Sequence, residues 1–211
     1  MRSVYYVLPF FVTVHYVVAV VSNEMTFECI TIPMILLGIS YSLFRTIVHS
    51  NPGIAPKTVV VDEQCRKCGR KRVEKVFHCP ICNVCVEGFD HHCDVLDVCI
   101  GDGNISVFRA FLLYHALMCL YGCILHIRIV QRHLRQPITG YIIVMIMVEM
   151  VFSISFTLFW LFHKGLAMCD VRTIDIIHKC RLWFQTKNVI EVNRVHVSQR
   201  KCPGDFSKKI Q

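Results

Sequence analysis

The chain has 211 residues, of which 54% are apolar and 18% charged, and its formal net charge is +8. Mean hydropathy is +0.48, too high for an ordinary soluble domain, which excludes a disordered, collagen-like or plain cytosolic chain and points to a small polytopic membrane protein. The positive charge suits an anionic lipid surface; it argues against nucleic acid, because the basic residues lie between apolar stretches and not in one compact patch.

A membrane-crossing helix needs roughly 17–25 mostly apolar residues. The first such window, Val4–Val21, has 18 residues and no Asp, Glu, Lys or Arg. Its length and its aromatic residues (Tyr5, Tyr6, Phe10, Phe11, Tyr16) favour a retained helix over a signal-peptide core. The second, Cys29–Phe44, is charge-free for 16 residues and reaches spanning length only with its flanks.

The 65 residues Arg45–Arg109 follow, with little apolar material for a core. Their first half is basic (Arg66, Lys67, Arg70, Lys71, Arg72, Lys75) and their second acidic (Glu87, Asp90, Asp94, Asp97, Asp102). Seven of the chain's 13 cysteines lie here, in the pattern Cys65-x2-Cys68-x9-His78-Cys79-x2-Cys82-x2-Cys85-x4-Asp90-His91-His92-Cys93-x5-Cys99. A domain this small needs staples. A CxxC pair forms a knuckle holding two thiolates on one ion, and zinc takes four Cys or His ligands in a closed structural site. Ten candidate ligands are present, seven Cys and three His. Two closed sites use eight. One His and one Cys are left over, the raw material of a nucleophile and its base; ligand arithmetic alone does not say which pair is spare.

The third window, Ala110–Ile127, is charge-free for 18 residues, and the fourth, Ile138–Phe162, has 25 with one acid, Glu149. Glu149 is expected protonated and packed inside the bundle, the alternative being a pair with His115 or His126. Cys119 and Cys123, four apart, read as small-residue helix packing. Beyond the fourth window, Arg172, Ile176, Ile177, Lys179, Arg181, Leu182, Trp183 and Phe184 suit a helix lying on the inner leaflet, and Cys169 is juxtamembrane. Lys208-Lys209 stands where a dilysine retrieval signal would.

Lys and Arg set the orientation. The loop Arg45–Arg109 has nine and the tail His163–Gln211 ten, with Arg2 at the N-terminus; Arg128–Pro137 has three and Ser22–Glu28 none. Four spans therefore put the N-terminus, the cysteine-rich loop and the C-terminus in the cytosol. That compartment is reducing, so the clustered cysteines read as metal ligands and not as disulfides. The expected fold is an all-α membrane protein of four transmembrane helices, with a zinc-stapled domain between spans 2 and 3. Its organisation is 1–44 (spans 1 and 2), 45–109 (cysteine-rich domain), 110–162 (spans 3 and 4) and 163–211 (tail).

At Asp90-His91-His92-Cys93 the chain resembles the DHHC-type protein S-acyltransferases, or palmitoyltransferases. Every Cys and His of that family's cysteine-rich domain occurs at the family's spacing, and Cys99-Ile100-Gly101-Asp102-Gly103-Asn104-x3-Phe108 fits its next stretch. The resemblance is specific over about Cys65–Phe108 and extends to the topology of most of the chain. It implies one zinc on Cys65, Cys68, His78 and Cys85, and another on Cys79, Cys82, His92 and Cys99. His91 and Cys93 become the spare pair, beside Asp90. It further implies that Cys93 takes a palmitoyl group from palmitoyl-CoA, with His91 as base and Asp90 orienting it, and passes the group to cysteines of membrane-associated proteins. Because Asp90 and His91 are neighbours, an irregular zinc-pinned loop is expected to bring them to one point. Phe108 and Phe111 open the third span closest to Cys93 and are the candidate acyl-chain contacts.

The chain departs from that pattern in places. Asp94-Val95 stands where the family has Pro-Trp, Asn51-Pro52-Gly53 for Asp-Pro-Gly, and Arg172-Thr173-Ile174-Asp175 for Thr-Thr-x-Glu. An anion at position 94 works against a thiolate next to it. The expected protein is thus an endomembrane S-acyltransferase of the endoplasmic reticulum or Golgi, the plasma membrane being the alternative. A catalytically inactive zinc-binding scaffold or partner subunit is the second reading. A ring-type ubiquitin ligase module fails on ligand order.

Overall fold

In a computed structural model, residues 27–58, 64–132, 134–135 and 137–185 are described. Their order is α1 (Phe27–His49), β1 (Val76–Cys79), β2 (Val84–Glu87), β3 (His91–Cys93), β4 (Val98–Ile100), α2 (Ile105–Arg132) and α3 (Thr139–Met168). Three helices among these residues are long and apolar enough to cross a membrane, over Thr31–His49, Ile105–Arg132 and Thr139–Met168. The expected span Val4–Val21 lies outside the described residues, as does the dilysine pair. The fold is mostly helical. It is not all-α, because the cysteine-rich segment adds two antiparallel hairpins, β1–β2 and β3–β4.

Each helix runs past the C-terminal end of its apolar window. α1 continues past Arg45 because Phe44 and Ile47 keep one face buried while Arg45 stays exposed. α2 begins at Ile105 because Asn104 prepares its N-terminus. The Asn104 carbonyl takes the first helical bond, from the Phe108 N–H at 2.9 Å. Its fully buried side chain is used backwards, accepting from the Gly101 N–H and donating to the Cys99 carbonyl, each at 3.0 Å. The strand β4 and the helix α2 are thereby locked end to end.

α2 and α3 pack through Ile129, Ile142 and Met145 and through three polar contacts. Ser153 Oγ donates to the Ala116 carbonyl at 3.0 Å, Cys123 Sγ lies 3.7 Å from the Ile146 carbonyl, and His126 Nδ1 lies 3.0 Å from Glu149 Oε2. Glu149 is buried inside the bundle as expected, but it also forms the pair given as the alternative, and its partner there is His126 and not His115. His115 bonds Ser40 Oγ (2.8 Å) and the Phe111 carbonyl (2.7 Å) instead, tying α1 to α2. Tyr114 Oη adds a bond to the Leu36 carbonyl at 2.5 Å. Cys119 and Cys123 are buried, as helix packing requires.

The main apolar core lies where the helix ends meet the hairpins. It joins Phe44 and Ile47 of α1, Leu96 and Ile100 of the second hairpin, and Ile105, Phe108, Phe111 and Leu112 of α2. The turn after α1 docks on the same junction. Asn51 Oδ1 accepts from the N–H groups of Gly53 and Ile54 at 3.0 and 2.8 Å, so the Asn-for-Asp exchange keeps the side-chain turn. The Pro52 carbonyl takes the Gly103 N–H at 3.2 Å, and the Gly53 carbonyl takes the Glu87 N–H at 2.8 Å. A Cβ on Gly103 would fall 2.1 Å from the Asn51 carbonyl oxygen, which is why only glycine fits there.

Residues 173–185 form a separate helical unit. Ile177, Leu182, Trp183 and Phe184 are exposed on it, the composition of a helix that lies in a membrane interface.

Candidate transfer site and metal clusters

The two hairpins sort the cysteines and histidines by strand periodicity, since successive side chains of a strand point to opposite faces. In β1–β2, His78 is opposite Cys85 and Cys79 is opposite Val84. Adjacent His78 and Cys79 therefore serve different clusters. In β3–β4, His92 is opposite Cys99, and His91 and Cys93 take the other face. The expected irregular backbone is found at Asp90, which precedes the strand; from His91 to Cys93 the chain is instead a regular three-residue strand, which separates His92 from the His91 and Cys93 pair.

One cluster joins Cys65, Cys68, His78 and Cys85, the other Cys79, Cys82, His92 and Cys99. A tetrahedral zinc with its usual bond lengths would set ligand edges of about 3.8 Å between sulfurs and about 3.5 Å from sulfur to nitrogen. In the first cluster, His78 Nδ1 lies 3.7 Å from Cys65 Sγ and 4.0 Å from Cys85 Sγ, and Cys68 Sγ lies 3.6 Å from Cys85 Sγ. In the second, His92 Nδ1 is 3.8, 3.4 and 3.8 Å from the sulfurs of Cys79, Cys82 and Cys99, and Cys82 and Cys99 are 3.5 Å apart. Both donor sets fit a four-coordinate zinc.

The thiols of the clusters are unequal. Burial opposes the Cys65 thiolate, but the backbone N–H groups of Lys67 and Cys68 and the neighbouring thiols outweigh it and lower Cys65 to about 7. Burial, then Cys68 and Cys65, push Cys85 up to about 12; burial likewise raises Cys82 and Cys99. Such a cluster would load metal by releasing protons.

On the opposite face of β3, His91 Nδ1 lies 2.8 Å from Asp90 Oδ2, and Asp90 is 1% exposed. Burial works against a charged His91. Hydrogen bonds to Asp90 and to Cys93, and the charge on both, win and raise it to about 9. The contact with Asp90 leaves the other ring nitrogen for Cys93. Cys93 itself is half-buried against the junction core. Phe108 stands edge-on to the His91 ring, centroids 5.4 Å apart, and Phe111 lies one turn deeper against the His115 ring at 4.0 Å. The structure thus brings Asp90, His91, Cys93 and Phe108 together, with Phe111 behind them.

Asp94 and Val95 sit on the outside of the β3–β4 turn, and Leu96 fills the core beneath. The Asp94 and Asp97 carboxylates each approach His92 Nε2 to 3.9 Å, on the side of the ring away from the cluster sulfurs.

One residue of the site escapes sequence reasoning. His163 of α3 is buried, with its Nδ1 3.8 Å from Asp90 Oδ2 and its ring 5.8 Å from that of His91. The available signal was a histidine directly after the last residue of the fourth apolar window. A cavity of about 370 Å³ opens beside this group, lined by Asp90, Ser106, Arg109, His163 and Arg172 among others. Arg172 also pairs with Asp102.

The DHHC palmitoyltransferase family model matches residues 60–188. Among curated relatives, the chain is 30% identical over 105 residues to palmitoyltransferase ZDHHC4 of Rattus norvegicus, covering 43% of this chain and 31% of the relative. It is 32% identical over 130 residues to palmitoyltransferase ZDHHC17 of Danio rerio, covering 51% and 20%, and 31% identical over 105 residues to palmitoyltransferase SWF1 of Kluyveromyces lactis, covering 48% and 32%. The matched part is about a third or less of each relative's length.

Proposed function

The chain belongs to the DHHC palmitoyltransferase family, and on that premise we propose that it is a membrane protein S-acyltransferase working through an acyl-Cys93 intermediate. The observation that supports this most directly is the placement of His91 and Cys93 on one face of β3, with Asp90 2.8 Å from His91 Nδ1.

Asp90 accepts from His91 Nδ1–H and so aims Nε2 at Cys93; raised to about 9, His91 is a strong enough base to keep the proton that it takes from the thiol. Nε2 takes the Cys93 thiol proton. The thiolate attacks the thioester carbonyl of a palmitoyl-CoA; the new C–S bond forms as the bond to CoA breaks, and the departing CoA thiolate takes the proton from His91. In the second step His91 accepts the proton of an acceptor cysteine. That thiolate attacks the acyl-Cys93 carbonyl, and Cys93 leaves and is reprotonated. One thioester replaces another, so no energy source is consumed. The site's task is proximity, joining a membrane-soluble chain to a cytosolic thiol.

Zinc, when bound, supplies rigidity and not reaction chemistry. Cys65, Cys68, His78 and Cys85 would hold one ion, and Cys79, Cys82, His92 and Cys99 the other. Phe108 and Phe111 would face the start of the acyl chain. The reading includes a fourth span at Val4–Val21, residues 45–109 and both termini in the cytosol, an endomembrane location, and membrane-associated acceptor proteins.

The test is covalent labelling. The detergent-purified chain is given a reporter palmitoyl-CoA. A hydroxylamine-labile adduct is expected on the native chain and its complete loss in Cys93→Ala. No adduct on a native chain that still holds about two zinc ions would remove the enzymatic reading and leave a zinc-stapled scaffold, the outcome that the Asp94-Val95 exchange would then explain.

A further inference from the structure

The reaction just described makes no use of His163 of α3. Its side chain is 1% exposed, and among the described residues neither ring nitrogen has a hydrogen-bond partner. Phe108, Phe159 and Phe162 enclose the ring nearly perpendicular to it, with centroids 5.3, 4.7 and 5.4 Å away. A fourth phenylalanine would fill such a box at no polar cost. A buried imidazole with two unsatisfied nitrogens is costly unless it finds an acceptor. The acceptor at hand is Asp90 Oδ2, 3.8 Å from Nδ1, the same oxygen that His91 holds at 2.8 Å. Less than 1 Å of closure gives a normal hydrogen bond. Asp90 and His163 also line one cavity, so the pair borders open space and has room to close.

We propose that His163 is a positioning residue of the transfer site. Its Nδ1–H donates to Asp90 as the site closes, so that one carboxylate bridges two imidazoles. Asp90 is then held in the orientation that keeps His91 aimed at Cys93. The inference rests on the reading of Cys93 as nucleophile and His91 as its base.

Two substitutions separate donor from ring. His163→Phe keeps an aromatic ring in the box and removes the donor. His163→Asn removes the ring and keeps an N–H near the Nδ1 position. For the whole chain in detergent, the readouts are the rate of Cys93 labelling at saturating palmitoyl-CoA and the concentration giving half that rate, with zinc content measured alongside. His163→Phe is expected to lower the saturating rate about tenfold or more, a change of about 1.4 kcal/mol in barrier, with half-saturation unchanged. His163→Asn is expected to recover most of that rate. Alkylation of Cys93 by iodoacetamide, followed on its own peptide, should rank the variants the same way with no acyl-CoA present. A native chain that alkylates at Cys93 but takes no acyl label would sink the acyltransferase reading while the alkylation ranking still judges His163. A Phe variant as fast as the native chain in both assays, or zinc loss in both variants, would make His163 a packing residue and overturn the proposal.

Discussion

Asp90 is the residue on which the site turns, because one buried carboxylate serves the histidine beside it in sequence. His91 titrates near 9 although burial alone would take it below its ordinary 6.5, and the difference comes from Asp90 and Cys93. The sign follows from the direction of the shift. A histidine raised in the folded state contributes stability that is full below about 6.5 and is lost as the pH rises through about 9. Asp90→Asn keeps the shape and removes the charge. It is expected to move the alkaline transition of Cys93 alkylation from near pH 9 towards 6.5 and to slow acylation by at least about tenfold, both read from the pH dependence of labelling. An unmoved transition would mean that Cys93 alone raises His91. The outward placement of Asp94 and Val95 belongs to this scale as well. The departure from the family pattern falls on a turn whose side chains leave the junction core to Leu96.

At the scale of elements, the hairpins are held less by a core than by register and glycine. Among the described residues, the buried cluster at the first hairpin joins Ala55, Cys65, Val76 and Cys85, and two of these are candidate ligands. The junction to α2 depends on a close approach of two backbones at Gly101 and Gly103. Gly103→Ala places a methyl group 2.1 Å from the Asn51 carbonyl oxygen, backbone that cannot swing aside. It is expected to cost about 1–3 kcal/mol, seen as a lower melting temperature of the cysteine-rich segment and weaker zinc retention. Native melting and zinc content would mean that the turn at Asn51–Gly53 yields. The ion pair of Lys75 with Asp170, at 3.0 Å and with both partners well exposed, ranks far below this contact as a tether.

For the molecule as a whole, the proposed division of labour is between apolar helices that pack on each other and a cysteine-rich segment whose two donor sets would be held by metal. Stripping zinc with a chelator is expected to abolish Cys93 labelling and open the hairpins to proteolysis. The helical circular-dichroism signal in detergent should change little, because α1, α2 and α3 pack through their own contacts. Acid should favour release, since the raised thiols of Cys82, Cys85 and Cys99 regain protons readily. Concerted loss of helix signal with zinc would instead tie the bundle to the metal segment. The junction core, shared by α1, the second hairpin and α2, is where such coupling would travel.

Much of this was legible in the residues. Charge-free windows are long enough to announce helices in a membrane, and Cys and His spacing announces metal knuckles, because both signals are local and chemically restrictive. Asn104 and Asn51–Gly53 stood out in the sequence only against the family pattern; their roles as helix start and side-chain turn came from the structure. The separation of His91 and Cys93 from His92 was within reach of period-two alternation once the segment was known to be a strand, but three residues are too few to declare one. What only the tertiary structure decided are the pairings across distance. Glu149 could meet His115 or His126 until the stagger of α2 against α3 chose His126. His163 looks like the polar end of an apolar helix until α3 sets it against Asp90, 73 positions away in the chain. Spacing along the chain determines which residues can share an ion or a helix face. Which of them meet from different helices depends on packing, to which the linear order is blind.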